Sequence, residues 1–244
     1  MALISRCDVD AISGVAYFKK SEKKNMRFLK DFSKMPKGNI PRGLWSTIHN
    51  IDICTSFFSS EELSDAIRFS KLALANGAHV NKLDIDSNSL TVQQRDDLCS
   101  IIPLVNVVKL RYLKLNDEFF KKVIHAFETC KNSKASGLAI SNCNLDEQLQ
   151  LLFWDCAKYI EKIEFLYNPI TSSSMKHLAD MIIRERGNGN VKKLDCITLH
   201  DCQLDDPCLM EVARFAPLVK RLYLGWLTET VTECGMHTFS DMIV

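Results

Sequence analysis

The decapeptide "LHDCQLDDPC" concentrates more chemistry-bearing side chains than any other part of the 244-residue chain: His200, Asp201, Cys202, Asp205 and Cys208. Histidine, thiolate and carboxylate are the ligands zinc takes, and a Cys beside a His is the raw material of a nucleophile. Either use requires the side chains to converge. The apolar alternation of Ile197 and Leu199 predicts a strand that sends His200 to one face and a following Cys202 into a turn. Diverging groups close neither a tetrahedron nor a nucleophile–base pair. The six histidines (49, 79, 125, 177, 200 and 237) are scattered with no orienting partner in reach along the chain. No Gly-Lys dipeptide occurs, so no phosphate-binding P-loop does, and G-x-S-x-G and H-E-x-x-H are absent too. The expectation is a protein without catalytic residues, metal or cofactor.

The elements around this segment explain why Cys202 turns inward, because its pattern recurs. "GLAISNCNL" places Leu138, Ile140, Cys143 and Leu145 in the frame L-x-L-x-x-[N/C]-x-L. The same frame fits Ile51, Ile53, Ser56 and Phe58, and again Leu83, Ile85, Asn88 and Leu90. It continues through Leu110, Tyr112 and Leu115; Ile163, Phe165, Asn168 and Ile170; Ile197, Leu199, Cys202 and Leu204; and Leu222, Leu224 and Leu227. Starts at 51, 83, 110, 138, 163, 197 and 222 lie 25 to 34 residues apart, and the longest gap holds the polar, glycine-rich "RERGNGN". Three residues before each start stand Ile48, Val80, Val107, Ala135, Ile160, Leu194 and Val219, all apolar although the frame does not demand it.

Such periods mark leucine-rich repeats. The alternating pair predicts a short parallel strand, and the inward Asn or Cys bonds backbone groups left open by the turn. Between strands the spacing becomes helical, as at Leu98, Ile101 and Ile102; Leu149, Leu152, Phe153 and Cys156; and Met175, Leu178, Met181 and Ile182. "TSSSMKHLADMI" opens with capping hydroxyls and "NLDEQLQLL" with acids suited to a helix N-terminus. The predicted fold is an α/β leucine-rich-repeat solenoid, a ribonuclease-inhibitor-like horseshoe with strands concave and helices convex. About seven repeats occupy residues 47–244. Residues 1–46 read as an N-terminal helical cap or degenerate repeat, with "DVDAISGVAYFKK" helical and a degenerate strand beginning at Met26.

With a net charge of +1, the chain lacks the concentrated cationic face that nucleic acid binding needs, although residues 1–45 carry about +6 and the remainder about −5. Ten cysteines without a CxxC pair, several inside apolar runs, indicate buried free thiols and a reducing, cytoplasmic setting. No window approaches the roughly 18 apolar residues of a membrane span. Recognition of a protein partner is what remains. The frame assigns to the concave surface Asp84, Asp86, Arg111, Lys114, Glu164, Tyr167, His200, Asp201, Tyr223 and Trp226, with Leu113 beside Lys114. The aromatic members are the candidate anchors, since Tyr and Trp dominate interface energetics.

"LKDFSKM" (residues 29–35), the repeat "SNSLTVQQRDDL" and "LVKRLYLGW" (residues 218–226) carry a resemblance. From about residue 11 onward the chain resembles the repeat region of NLR (NACHT–leucine-rich-repeat) innate immune receptors. It is most like the CARD-bearing members that assemble inflammasomes with NAIP sensors. The resemblance implies a non-catalytic cytoplasmic regulatory domain that folds back on its own upstream NACHT module, or binds another immune protein, for autoinhibition and ligand sensing. It carries over no catalytic residue, and the chain contains no CARD and no NACHT motif. The alternative is a stand-alone leucine-rich-repeat binder of the tropomodulin or ribonuclease-inhibitor type.

Overall fold

A computed structural model describes Val9–Asp10, Val15–Phe18, Asn50–Cys54 and residues 59–130, 133, 135–186, 194–225 and 230–243. It is an α/β structure in which parallel strands alternate with helices. Two compact units divide it: Met1–Leu113 with Ala126–Ala135, and Lys114–His125 with Ser136–Val244.

In the first unit β1 (Val9–Asp10) runs antiparallel to β2 (Val15–Phe18), and β2 pairs in parallel with β3 (Asn50–Cys54). These strands replace the helix expected over "DVDAISGVAYFKK". The run Val15-Ala16-Tyr17-Phe18 contains the β-branched and aromatic residues that favour a pleated backbone. The expected strand from Met26 lies outside the described residues. Helix α1 (Ser60–Ala75) begins at a capping box between Ser59 and Glu62 and ends where Gly77 takes φ +84°. It is followed by β4 (Val80–Asp86), α2 (Val92–Ile101) and β5 (Val107–Arg111), with β3, β4 and β5 parallel. A second capping box, Thr91 with Gln94, starts α2.

Helix α3 (Asp117–Thr129) contributes to both units. The second unit continues with β6 (Gly137–Ser141), α4 (Glu147–Asp155), β7 (Lys162–Leu166), α5 (Ser172–Arg186), β8 (Cys196–His200), α6 (Asp206–Phe215), β9 (Leu222–Gly225) and α7 (Glu233–Ile243). Strands β6 to β9 form a parallel sheet in sequence order. One sheet face meets the helices: Leu138 and Ile140, Ile163 and Phe165, Ile197 and Leu199 are all buried. Phe153, Trp154 and Phe165 cluster with ring centroids 4.8 to 5.5 Å apart, at the centre of this core. Trp154 is fully buried, and its Nε1 donates to Ser174 Oγ at 2.7 Å, so the indole leaves no polar atom unmatched.

Short and long units alternate. From Leu83 to Val108, from Leu138 to Ile163 and from Ile197 to Leu222, equivalent strand positions lie 25 residues apart. Each of these units has a helix of 9 or 10 residues that tightens into a 3₁₀ turn: Ile102–Leu104, Cys156–Tyr159 or Ala216–Leu218. The intervening helices have 13 to 16 residues and no such turn. Proline at the start of two of the three turns, Pro103 and Pro217, supplies a fixed φ where no amide donor is needed.

Strands β6, β7 and β8 leave the sheet through the same corner. Asn142, Tyr167 and Asp201 take φ of +52°, +53° and +53°, and each N–H donates to the next strand, at Leu166, His200 and Gly225 respectively. The following residue points inward: Cys143, Asn168 and Cys202 are all buried. Asn168 Oδ1 accepts from the N–H groups of Cys143 at 2.8 Å and Asn144 at 2.9 Å, and its Nδ2 donates to Leu166 O at 2.9 Å. Cys202 Sγ donates to Phe165 O at 3.1 Å.

Three frame assignments need correction. Ile85 pairs with Leu110, so the third repeat starts at Val108 and not at Leu110. "VVKLRYLKL" alternates apolar residues long enough to accept either start, and a two-residue shift preserves the face. Tyr112 therefore occupies the corner at φ +58°, Leu113 is buried in the inward position, and Val105, not Val107, is the buried residue three before the start. Asn88, expected inward, is exposed. That turn closes through Ser87, whose Oγ donates to Ser89 O at 2.9 Å. Ile53, rather than Ile51, lies opposite Leu83.

Asn168→Ala leaves the buried N–H of Cys143 and the part-buried N–H of Asn144 without an acceptor. It is expected to lower unfolding stability by about 2–4 kcal/mol, at about 1–3 kcal/mol per orphaned group with partial relaxation. Urea unfolding followed by circular dichroism measures the loss, and a change below 1 kcal/mol would contradict the role assigned to the side chain.

Candidate protein-binding surface

Side chains on the sheet face opposite the helices come from the alternate strand positions and from the corner residue. In the first unit this face is ionic. Asp84 is only 5% exposed; its Oδ1 accepts from Arg111 Nε at 2.8 Å and its Oδ2 lies 3.3 Å from Lys82 Nζ. Arg111 also approaches Asp86, 3.8 Å away. Asp84, expected to meet a partner, is thus committed within the fold, covered by the cations on the same strand and on its neighbour. Arg111 and Asp86 keep partial access, and Tyr112 is exposed at the corner. The corrected frame adds Lys109 to this face and removes Leu113.

In the second unit Lys114 is exposed, but it lies between strand and helix, not on the sheet. Glu164, Thr198 and Tyr223 stand in one row across β7, β8 and β9, and Leu166, His200 and Gly225 in the next. Tyr167 is 46% exposed and Tyr223 53%. The Tyr167 ring meets His200 edge to face, centroids 5.2 Å apart. His200 turns its Nδ1 edge towards Gly225, where an added Cβ would stand 2.3 Å from that nitrogen, so glycine there makes room for the imidazole. Asp201, half-buried, follows at the corner. The structure therefore brings Glu164, Tyr167, His200, Asp201 and Tyr223 together on one face; Trp226 lies outside the described residues.

At the strand starts of the same unit, Asp195 gathers three cations. Arg221 Nη2 is 2.5 Å from Oδ2, and Lys162 and Lys220 lie 3.9 Å from the carboxylate. The Arg221 guanidinium, by hydrogen bonding, holds the Asp195 carboxyl below its usual range.

The cluster in "LHDCQLDDPC" does not converge. Besides donating to Phe165 O, Cys202 Sγ lies 3.4 Å from His200 O; Asp205 caps α6 by accepting from Cys208 N at 2.9 Å. Burial pushes both thiols up to about 12, the opposite of what a nucleophile or ligand needs. Among the described residues no group of three or more His, Cys, Asp or Glu is placed to hold a metal ion, and no helix is long and apolar enough to cross a membrane.

Of the corner residues, Tyr112 is the one the sequence frame misplaces, as a strand residue, because positive φ is invisible in a tyrosine and only Gly or Asn advertises that conformation. No protein-family model matches the chain, and no characterised protein matches its sequence significantly.

Two measurements check these assignments. Arg111→Ala should destabilise the protein by about 1–3 kcal/mol, since a buried carboxylate loses its best donor; unaltered thermal unfolding would show that Lys82 suffices. Brief alkylation at pH 8, read by peptide mass mapping, should label exposed Cys234 and spare Cys202 and Cys208 until urea is added. The same raised values set a pH dependence. The folded state favours the neutral thiols, so their contribution is complete below the ordinary value of 9.0 and is lost as pH rises towards about 12.

Proposed function

We propose that this chain is a leucine-rich-repeat protein-interaction domain of the NLR type, one that restrains an upstream NACHT module and carries no chemistry of its own. The observation that carries the reading is the repeated corner. Cys143, Asn168 and Cys202 fill the same inward position in three successive strand–turn–helix units, where the Asn/Cys of this repeat class belongs. The α/β architecture with parallel strands also supports it, as do the 25-residue spacings. The NLR assignment rests on "LKDFSKM" and "LVKRLYLGW", the first of which lies outside the described residues.

A side-chain-rich sheet face flanked by rigid helices suits protein recognition, because the corner bonds fix its side chains before a partner arrives. In this reading the domain acts in the cytoplasm and binds protein, not nucleic acid or membrane. Autoinhibition means that contacts to the NACHT module favour a closed monomer, which a competing ligand releases.

The test is the transcript that encodes the chain and the product it specifies. An upstream NACHT-coding region is expected. Deleting residues 47–244 from that product should raise self-assembly without ligand, measured by size-exclusion chromatography with light scattering. Absence of the NACHT region, or unchanged assembly after deletion, sinks the proposal and leaves a free-standing repeat binder.

A further inference from the structure

We propose that the outer edge of β9, with α7 beside it, is an interface between two copies of this chain, joined antiparallel about a two-fold axis at Tyr223. The contact involves the second unit alone and stands apart from the regulatory reading above.

A difference between successive repeats leads there first. Leu222 and Leu224 pair with Ile197 and Leu199, so they hold the same strand positions one unit later. Thr232 Oγ1 accepts from Gly235 N at 3.0 Å, as Asp205 Oδ1 accepts from Cys208 N at 2.9 Å. This aligns the two helix starts and sets Met236 in the place of Leu209. Ile197, Leu199 and Leu209 are fully buried, as are Ile163, Phe165 and Met175 in the unit before. In the last unit Leu222 and Leu224 are only half-buried, and Met236 is 41% exposed. Each earlier unit of this sheet has a strand and a helix stacked on it; among the described residues none follows β9 and α7. A capping unit presents a polar outer face. This one keeps leucine and methionine.

The backbone of β9 points the same way. Arg221 O and Gly225 O accept from Ile197 N and Asp201 N, each at 3.0 Å. Alternate residues therefore face β8, and Leu222 and Leu224 direct their N–H and C=O groups to the outer edge. Such an edge is a template for another strand, and Leu222–Gly225 carries neither charge nor proline to blunt it.

The edge is also complementary to itself. Let a second β9 run antiparallel with Tyr223 opposite its own counterpart. Leu222 then faces the second copy's Leu224, and Leu224 its Leu222. Both are hydrogen-bonded pairs, so every outward N–H and C=O gains a partner while the leucines meet on the helix side. The two Tyr223 rings form a cross-strand aromatic pair on the open face. Arg221 falls opposite uncharged Gly225, and the two Arg221 residues lie about 13 Å apart. Glu233 of each α7 stands at opposite ends of the antiparallel helices. Like charges are thus kept apart.

Size selects a second copy over a lone strand. A helix of 11 residues beside a strand of 4 presents an end face on the order of 15 by 20 Å. Two copies bury on the order of 1,000 Å² in total, the low end for a specific interface and enough for a reversible dimer. An extended peptide could pair with the edge but would leave Met236 open. A second copy brings strand and helix together at matching heights.

The test is sedimentation velocity of the purified chain over about 1 to 500 µM. The mass should rise from the 27.8 kDa monomer to twice that value and no further. Leu224→Lys, which charges the edge, should raise the concentration of half-association by at least about 10-fold. Lys162→Ala, on the same sheet but away from the edge, should leave it unchanged; both are compared at matched circular dichroism. Tyr223→Cys keeps the leucines and reads geometry instead of stability. A non-hydrogen-bonded antiparallel pair has Cα atoms about 4.5 Å apart, within disulfide reach. Mild oxidation should therefore link two copies through that position, identified by peptide mass mapping, whereas Arg221→Cys should not cross-link to itself. A chain that stays monomeric throughout, an assembly that grows beyond the dimer, a midpoint indifferent to Leu224→Lys, or equal cross-linking of the two cysteine variants overturns the proposal.

Discussion

A strand that must reverse into a helix within four residues leaves backbone donors and acceptors facing the interior, where no water can reach them. At the corners after β6, β7 and β8 the structure meets this constraint with one inward side chain each, Cys143, Asn168 and Cys202. Asn168 is the fullest case, since its amide accepts from two N–H groups of the preceding corner and returns a donor to a carbonyl of its own strand. Cysteine does part of this work at 202, where a weak S–H donor reaches Phe165 O. The parallel register follows, because each corner is fastened to its neighbour before the next strand begins. The burial of Leu, Ile and Phe on the helix side follows in turn.

The corner also links scaffold and surface. To turn inward at 143, 168 and 202, the chain bends at the residue before, and that residue adopts positive φ although it is Asn, Tyr or Asp. A tyrosine in that region is strained by about 1–2 kcal/mol; the N–H bond to the next strand offsets it. Strain held this way projects Tyr167 and Asp201 off the sheet in fixed directions. The same geometry places Tyr112 at the end of β5. The residues best placed to meet a partner are therefore set by the demand for satisfied backbone groups, not by the strand alternation.

The two ionic clusters show how little a charge in a sequence says about its use. Asp84 and Asp201 are both aspartates following strand positions, yet one is buried against Arg111 and Lys82 and the other stands half-open at a corner. Asp195 draws three cations around itself at the strand starts. Which of these charges remains available for recognition depends on long cationic side chains lying on adjacent strands, a feature of pairing and not of local composition.

The periodicity of apolar residues by itself determined the parallel strands, the intervening helices and the inward Cys143, Asn168 and Cys202, because burying one face of a repeated unit forces that spacing. It also assigned Cys143 and Cys202 to turns rather than to reactive sites. It did not determine the N-terminal strands, where Val15–Phe18 carries no repeat frame, nor the start of the third repeat. There, "VVKLRYLKL" satisfies two registers equally, and only the pairing of Ile85 with Leu110 across the sheet chooses between them. The inward turn at Asn88 failed for a related reason: Ser87 closes that turn locally, and no sequence pattern ranks the two hydrogen bonds. Tertiary structure alone decided that Tyr167 meets His200, that His200 turns to Gly225 and that Tyr223 shares their face, since these residues come from three strands and are brought together only through register. A one-dimensional pattern specifies which face a side chain takes; the neighbour it meets there is a property of strand pairing.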